Sequence, residues 1–217
     1  MINAVIFDMD GTLLDTEKHL ARAWVEAAHS FGYEDFTMEH GLFLRSLSIE
    51  FQEKVLKKTF GEDFPYMDIR MLKKKIVDEY LKAFGLEKKA GSDHTLSELK
   101  KRGYKIAIAT ASNFDRASQY LKGAGLFDYF DEENIICATE VAHGKPYPDV
   151  YLYACEQLGE KPEQCIAVED GPFGVMAAYR AGTNVIMVPD LTQPDEKLSK
   201  MLYRKLDCLE DLLEILK

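Results

Sequence analysis

The chain has 217 residues, 47% of them hydrophobic and 29% charged, and its formal net charge is −10. This length suffices for one domain with a buried core, or for one domain that carries an insertion. The negative charge argues against nucleic acid as a partner, but it does not exclude an anionic substrate, because a metal ion and a few cations set the field inside a site. No segment approaches the ~20 apolar residues that span a membrane, and no signal-peptide pattern is present. We therefore expect a cytoplasmic protein with no membrane partner.

A short apolar run, Ala4 to Phe7, is followed at once by turn residues. Such a run predicts a strand that is buried on both faces. Asp8 and Asp10 then lie where this strand ends, and Gly11 allows a sharp turn or a close approach to a ligand. Two carboxylates in this position repel each other, which predicts a bound cation or a shared proton.

The segment after this turn has helical rather than strand periodicity. Between residues 17 and 86 the sequence predicts no buried strand, and its apolar side chains recur at intervals of three and four residues. The pattern predicts three amphipathic helices, around residues 20–28, 47–56 and 69–81. Trp24 is expected to pack inside this helical block, and the run Lys73-Lys74-Lys75 to form a solvated helix face.

From Gly91 onwards short apolar strands alternate with helices, and Asp207 is expected to cap a final amphipathic helix. The predicted strands cover residues 105–109, 135–137, 165–168 and 184–188. This alternation predicts a parallel sheet with helices on both faces. Functional groups in such a sheet collect beyond the carboxyl ends of the strands, where Asp8, Thr110 and the pair Glu169-Asp170 are found.

The stretch Val5 to Thr16, VIFDMDGTLLDT, resembles the opening motif hhhhDxDGT of the haloacid dehalogenase-like phosphotransferases. It is similar in particular to the subgroup that contains β-phosphoglucomutase and the sugar-phosphate phosphatases. Three further motifs of that superfamily follow in order. Thr110 matches the second, Lys145 in the sequence GKPYPD matches the third, and the pair Glu169-Asp170 matches the acidic fourth. The second motif alone is weak and the third is moderate, but four motifs in order are a strong indication.

The resemblance implies an α/β fold. Its core would be Rossmann-like, with three layers and a parallel sheet, and would comprise residues 1–15 and 90–217. A helical cap domain, residues 16–89, would be inserted after the first strand. A hinge in the two connecting segments would let this cap close over the substrate. Closure and a bound phosphate would raise the pKa of Asp10. We expect a monomer.

The family chemistry assigns a role to each catalytic residue. Asp8 would be the nucleophile that forms an aspartyl-phosphate, and Asp10 the acid and base. Thr110 would donate a hydroxyl hydrogen bond, and Lys145 would pair with Asp8 and the phosphoryl oxygens. The cofactor would be Mg²⁺, which prefers oxygen ligands. Its predicted ligands are Asp8, the backbone carbonyl of Asp10, Asp170 and Glu169, the last either directly or through water.

The substrate would be a small phosphorylated metabolite. The predicted substrate-binding residues are Thr16, Arg45, Ala111, Ser112 and Asn113. Arg45 is the candidate for gripping a distal phosphate, as a cap arginine does in the mutases. The backbone N–H groups of Ala111 and Ser112 would help at the start of the following helix.

Two enzymatic activities remain open on the same chemistry. The first is a Mg²⁺-dependent phosphatase acting on a small phosphorylated metabolite such as a sugar phosphate, which Thr12 favours. The second is a phosphomutase resembling β-phosphoglucomutase, in which a sugar bisphosphate rather than water meets the aspartyl-phosphate. A phosphoacceptor signalling domain is disfavoured because its phosphorylated Asp follows a later strand and the inserted helices would be unexplained. Haloacid dehalogenation is disfavoured because those enzymes lack the second Asp.

Overall fold

The computed structural model describes residues 1–216 and is built on a six-stranded parallel sheet. The strands are β1 (Ala4–Phe7), β2 (Lys105–Thr110), β3 (Ile135–Cys137), β4 (Cys165–Glu169), β5 (Asn184–Met187) and β6 (Arg204–Lys205). Their order is β3-β2-β1-β4-β5-β6, and every neighbouring pair is parallel. The strand that carries the first aspartates is therefore central, between β2 and β4. The predicted α/β fold with a parallel sheet is confirmed.

Helices cover both faces of the sheet, because each central strand is apolar on both sides. In β1 the side chains of Val5 and Phe7 enter one core, and those of Ala4 and Ile6 enter the other. The first core is closed by α5 (Ser92–Lys101), α6 (Phe114–Gly123) and α10 (Leu212–Ile215). The second is closed by α7 (Asp149–Leu158), α8 (Pro172–Ala181) and α9 (Glu196–Ser199). This arrangement gives the three layers.

Four helices lie between β1 and α5 and have a core of their own. They are α1 (Glu17–Ser30), α2 (Met38–Phe43), α3 (Ile49–Phe60) and α4 (Tyr66–Phe84). Trp24, Phe36 and Tyr66 are buried together in that core, as predicted for Trp24. The sequence predicted only three of these helices. It missed α2 because six residues give no clear periodicity, and Gly41 looks like a helix breaker. A Cβ at Gly41 would lie 2.8 Å from the carbonyl oxygen of Ala21, so glycine allows α2 to approach α1 closely.

The two segments that connect these helices to the sheet run side by side. The amide nitrogen of Asp15 donates to the carbonyl oxygen of Glu87 at 2.9 Å, and that of Lys89 donates to the carbonyl oxygen of Leu13 at 2.9 Å. The predicted domain boundaries, after residue 15 and after residue 89, lie where these two segments are hydrogen-bonded to each other. The division into a core and a cap, and the hinge between them, stay predictions.

The C-terminal region differs from its prediction. Residues Leu209–Asp211 form a single 3₁₀ turn that starts after Cys208, and a regular helix follows only at Leu212–Ile215. The expectation that Asp207 caps one continuous helix is therefore wrong. The two-residue strand β6 was not predicted, because its exposed Arg204 and Lys205 carry no apolar signal. Within residues 1–216, no helix is both long and apolar enough to cross a membrane.

Candidate active site

The ends of three adjacent strands bring the predicted catalytic groups to one edge of the sheet. Phe7 lies in register with Ile108 of β2 and with Val168 of β4. Asp8 follows Phe7, and Glu169 follows Val168. Because parallel strands finish at the same edge, their terminal side chains converge there. Thr110 closes β2 at this edge and is buried.

Lys145 lies between two carboxylates at the centre of this edge. Its Nζ atom donates to Oδ1 of Asp8 at 2.5 Å and to Oε1 of Glu169 at 2.6 Å. The Tyr151 hydroxyl also donates to Oε1 of Glu169. The Lys145 residue is only 1% exposed. A buried ammonium with two carboxylate partners is held in one position, and so are the carboxylates.

The charges around Asp8 oppose one another. Burial raises the pKa of Asp8 to about 7, the Lys145 ammonium opposes this shift, and the Glu169 carboxylate adds to it. Burial alone would lower the pKa of Lys145, but Asp8 and Glu169 raise it above its ordinary value. Lys145 therefore keeps its positive charge near neutral pH. Asp8 is the group whose protonation changes when another charge comes close.

Asp8, Glu169 and Asp170 form a buried acidic cluster in which ligand oxygens lie within 4.8 Å of one another. Each residue has one buried oxygen without a hydrogen-bond partner in the described residues, namely Oδ2 of Asp8, Oε2 of Glu169 and Oδ1 of Asp170. Orphaned carboxylate oxygens are costly in a dry site unless a cation joins them. The donor set consists of oxygen alone, which suits Mg²⁺. The residues present therefore fit the cofactor that was predicted.

Two glycines make room for this cluster. Gly11 has φ +84°, and a Cβ there would lie 2.5 Å from Oδ2 of Asp170. A Cβ on Gly174, in the first turn of α8, would lie 1.9 Å from Oε1 of Glu169. A Cβ atom at either position would collide with these carboxylates, so both positions require glycine while the carboxylates remain in place. The turn residues after β1 predict such a role for Gly11, whereas Gly174 lies inside a helix and carries no comparable sequence signal.

Asp10 is held by groups on both sides of its carboxylate. Thr16 donates its hydroxyl to Oδ1 at 2.5 Å. Arg116 donates from Nη1 to Oδ2 at 2.8 Å and from Nη2 to Oδ1 at 2.9 Å. Burial alone would raise the pKa of Asp10, but the Arg116 guanidinium and the Thr16 hydroxyl lower it below its ordinary value. This direction is opposite to the one expected for a closed, phosphate-bound site.

The loop from β2 to α6 contains the predicted phosphate-binding groups. Ala111, Ser112 and Asn113 all line the cavity described below. The amide nitrogen of Ser112 donates to Oγ1 of Thr110 at 3.1 Å. The side chain of Asn113 caps α6 by accepting from the amide of Arg116 at 3.1 Å. The Arg116 guanidinium also donates to the Ser112 hydroxyl, so this arginine connects the loop to Asp10.

Arg45 lies at the acidic cluster. Its side chain is 1% exposed and donates from Nη1 to Oδ2 of Asp170 at 2.9 Å. Its other contacts are the Thr192 hydroxyl and, at 3.2 Å from Nε, the carbonyl oxygen of Leu42. Burial, with the nearby Glu17 carboxylate, raises the pKa of Asp170, and the Arg45 guanidinium opposes the shift. The substrate-binding role of Arg45 stays a prediction.

A cavity of about 540 Å³ opens over this edge of the sheet, between the core and the inserted helices. Trp24, Arg70 and Lys73 are among the residues that the helices contribute to its lining. Burial and the neighbouring Arg116 lower the pKa of Lys73 to about 7. Lys74 and Lys75 are exposed, as predicted for a solvated face, whereas Lys73 is half-buried beside the cavity. Glu17 also lines the cavity, and burial together with Asp10 raises its pKa to about 8.

A parallel α/β core with a buried lysine between two carboxylates, beside three orphaned carboxylate oxygens, defines an α/β protein with a candidate cation site at the carboxyl edge of its sheet. The chain belongs to the haloacid dehalogenase-like hydrolases, since the sequence pattern of that family matches residues 5–188. The resemblance found in the four motifs is confirmed.

Two relatives in sequence and one solved structure show which kinds of protein in this family the chain resembles. A phosphorylated carbohydrates phosphatase of Thermotoga maritima is 32% identical over 184 residues, covering 83% of this chain and 82% of that protein. The pyrophosphatase PpaX of Bacillus cereus is 27% identical over 235 residues, covering 99% and 96%. The crystal structure of β-phosphoglucomutase from Clostridium difficile has a TM-score of 0.82 at 24% identity, covering 100% and 96%, and shows the fold alone. The chain is a hydrolase of phosphate monoesters.

Proposed function

We propose that this protein is a Mg²⁺-dependent phosphatase that hydrolyses a small phosphorylated metabolite, a sugar phosphate, through an aspartyl-phosphate on Asp8. One observation carries the proposal. Lys145 binds Oδ1 of Asp8 at 2.5 Å, while Oδ2 of the same carboxylate has no partner. Lys145 thus fixes the orientation of the carboxylate, and no other donor from residues 1–216 occupies it, so the group remains free to bind the metal ion and to attack phosphorus.

The residues divide the reaction between them. The Asp8 carboxylate attacks phosphorus, the bond from phosphorus to the ester oxygen breaks, and Asp10 gives a proton to the departing alcohol. Asp10 then takes a proton from the water that attacks the aspartyl-phosphate, which restores Asp8 and releases phosphate. Lys145 and the Thr110 hydroxyl hold the phosphoryl oxygens. Mg²⁺, held by Asp8, Glu169, Asp170 and the Asp10 carbonyl, would neutralise phosphate charge.

Asp10 can donate a proton only after its bonds to Arg116 weaken. A carboxylate that accepts two bonds from a guanidinium is ionised and is a poor acid. A phosphate ester in the cavity offers Arg116 another anion, because the guanidinium already contacts Ser112 of the phosphate-binding loop. Binding of the substrate would thereby release Asp10 for its role as an acid.

The volume of the cavity supports a substrate of the size of a carbohydrate phosphate. A volume of about 540 Å³ accommodates a sugar phosphate. The Thermotoga maritima relative is named for phosphorylated carbohydrates, in agreement with this size.

A phosphomutase is the second candidate, on a specific observation. Arg70, Lys73 and Arg116 line the same cavity, so a second phosphate group could be bound there while the first reacts. The chemistry at Asp8 would be unchanged. Only the group that attacks the aspartyl-phosphate would differ, because the bound sugar would take the place of water.

Turnover of a panel of phosphorylated metabolites, with and without Mg²⁺, tests both candidates. The panel includes β-glucose 1-phosphate with a sugar bisphosphate activator. We expect inorganic phosphate to appear, Mg²⁺ to be required, and the Asp8→Asn variant to be inactive. Formation of glucose 6-phosphate without stoichiometric phosphate release would establish the mutase. Turnover that persists in Asp8→Asn, or in the presence of a chelator, would contradict the proposal.

A further inference from the structure

Tyr151 is a buried tyrosine whose hydroxyl has a partner in the active site but no place in the proposed reaction. It lies in the first turn of α7, shortly after Lys145, and its side chain is fully buried. Its hydroxyl donates to Oε1 of Glu169. In the described part of the chain Tyr151 does not line the cavity, so its hydroxyl does not meet the substrate. Any effect of this hydroxyl on the reaction must therefore act through its neighbours.

The phenol side chain contacts both members of one buried ion pair. Its hydroxyl binds the Glu169 carboxylate, and the centroid of its ring lies 5.1 Å from Nζ of Lys145. Lys145 in turn donates to the same Oε1 atom at 2.6 Å. A cation at the aromatic ring and a hydrogen bond from the hydroxyl hold the two partners relative to each other. These are separate contributions, because a phenylalanine at this position would keep the ring and lose only the hydroxyl.

The two carboxylate oxygens of Glu169 have different surroundings. Oε1 accepts from Lys145 and Tyr151, whereas Oε2 is buried and has no hydrogen-bond partner within residues 1–216. The same carboxylate belongs to the acidic cluster with Asp8 and Asp170. Lys145 alone does not distinguish the two oxygens, because an ammonium group has three rotatable donors. The Tyr151 hydroxyl adds a second donor from a fixed direction, which keeps Oε1 in place and leaves Oε2 unoccupied.

We propose that Tyr151 is a positioning residue for the metal site, whose hydroxyl holds Oε1 of Glu169 and so leaves Oε2 available to Mg²⁺ or to a water bound to it. This inference rests on the proposed Mg²⁺-dependent function and adds a residue from α7 to its machinery. Without the hydroxyl, the Glu169 carboxylate is free to turn until both oxygens share Lys145. The metal site then loses an acceptor, although the buried side chains fill the same space.

A purely structural role of the hydroxyl makes a different prediction. Removing one side of a buried hydrogen bond lowers stability wherever the bond lies. Loss of the Tyr151 hydroxyl would then lower the free energy of unfolding and leave the affinity for Mg²⁺ unchanged. A positioning role requires that the affinity for Mg²⁺ falls, and that it falls only while Glu169 is present.

The test is calorimetric titration of Mg²⁺ into the wild type, Tyr151→Phe, Glu169→Ala and the double variant, each checked for folding by circular dichroism. For Tyr151→Phe we expect the Kd of Mg²⁺ to rise about tenfold, the scale found when a group that orients a metal ligand is lost. In the Glu169→Ala background the same substitution should leave the Kd unchanged, because the hydroxyl then has no carboxylate to hold.

Tyr153→Phe is the matched control. Tyr153 lies in the same helix and packs against the second core, but within residues 1–216 its hydroxyl makes no hydrogen bond. We expect its Kd for Mg²⁺ to equal that of the wild type. Turnover of phenyl phosphate gives a second measurement. Tyr151→Phe should need about tenfold more Mg²⁺ for half its maximal rate, and should regain most of the wild-type kcat at saturating Mg²⁺.

Equal Mg²⁺ affinities in the wild type and Tyr151→Phe would overturn the inference and leave the metal site and the proposed function in place. An effect of Tyr151→Phe that persists in the Glu169→Ala background would also overturn it, because the hydroxyl would then act elsewhere. A wild type that binds no Mg²⁺ would instead contradict the proposed function, and the inference with it.

Discussion

Arg116 binds both carboxylate oxygens of Asp10, at 2.8 and 2.9 Å, across 106 residues of sequence. The pair connects the start of α6 to the turn after β1. It keeps the proposed acid ionised and fixed in orientation: burial alone would raise the pKa of Asp10, but the guanidinium together with the Thr16 hydroxyl lowers it below its ordinary value. Release of this pair would be an early consequence of substrate binding.

Replacing Arg116 by Met should raise the pKa of Asp10. The pair is present in the substrate-free enzyme, so the shift is measured there, by NMR titration of the Asp10 carboxyl group. Without the guanidinium, the midpoint of this titration should move upward by about one pH unit, the scale of one lost charge-assisted bond. Arg116→Lys retains the charge and should move the midpoint less. A midpoint unchanged in Arg116→Met would mean that the pair does not form in the free enzyme.

Asp8→Asn should abolish turnover and leave the fold intact. The amide has the shape of the carboxylate but is not a nucleophile, so activity should fall by about a thousandfold or more. Circular dichroism checks the fold. Residual activity above a few per cent of the wild type would remove Asp8 as the nucleophile.

Sequence reasoning located those site residues whose positions follow from strand ends. Asp8, Thr110 and Glu169 come directly after or at the end of apolar runs, and parallel strands bring such ends together. Arg116 carries no comparable sequence signal, because its contact with Asp10 depends on how α6 packs against the sheet. Glu17 looks like an ordinary acidic residue in the first turn of a helix. Its burial depends on the inserted helices, whose relation to the sheet a local pattern does not encode.

Gly174→Ala should disable the acidic cluster. The new methyl group would lie 1.9 Å from Oε1 of Glu169, so the carboxylate must leave Lys145 and Tyr151. We expect a loss of about 2 kcal/mol or more in the free energy of unfolding, from overpacking and a broken buried pair, together with weaker Mg²⁺ binding. Denaturant unfolding and calorimetry measure the two effects.

Gly123→Ala is the matched control for that substitution. Gly123 is also helical, but a Cβ there would meet only Cδ2 of Leu86, at 3.4 Å. We expect little change in stability and normal Mg²⁺ binding. Equal behaviour of the two variants would show that Glu169 tolerates displacement and is not held by Gly174.

The metal-free protein should lose stability as the pH rises. The folded-state pKa of Asp8 is about 7 against its ordinary value of 3.8, and that of Glu17 is about 8 against an ordinary value of 4.5. Between these limits the folded state binds more protons than the unfolded state, so the free energy of unfolding falls with pH, by up to about 1.4 kcal/mol per pH unit for each proton. Thermal unfolding in a chelator should give a lower Tm at pH 7.5 than at pH 5.5.

Mg²⁺ should reverse that dependence. Its carboxylate ligands must be deprotonated, so the ion stabilises the protein more at pH 7.5 than at pH 5.5. Asp8→Asn removes one of the titrating groups and should flatten the metal-free curve. Stability that increases with pH in the absence of metal would contradict the raised pKa of Asp8.

Arg45→Met should tighten the binding of Mg²⁺ in the absence of substrate. The guanidinium donates to Oδ2 of Asp170 at 2.9 Å, and Oδ1 of the same carboxylate is one of the orphaned oxygens of the acidic cluster. Two cations that compete for one carboxylate oppose each other, so removing the arginine should lower the Kd of Mg²⁺ severalfold, by about 1 kcal/mol. Met retains most of the apolar side chain and limits the cavity left behind. Arg70→Met is the matched control, because Arg70 lines the cavity without an ion pair to Asp170 among the described residues. Titration calorimetry on the three proteins decides the point. A Kd that rises in Arg45→Met would mean that Arg45 orients Asp170 for the metal, and that the two cations act together rather than in competition.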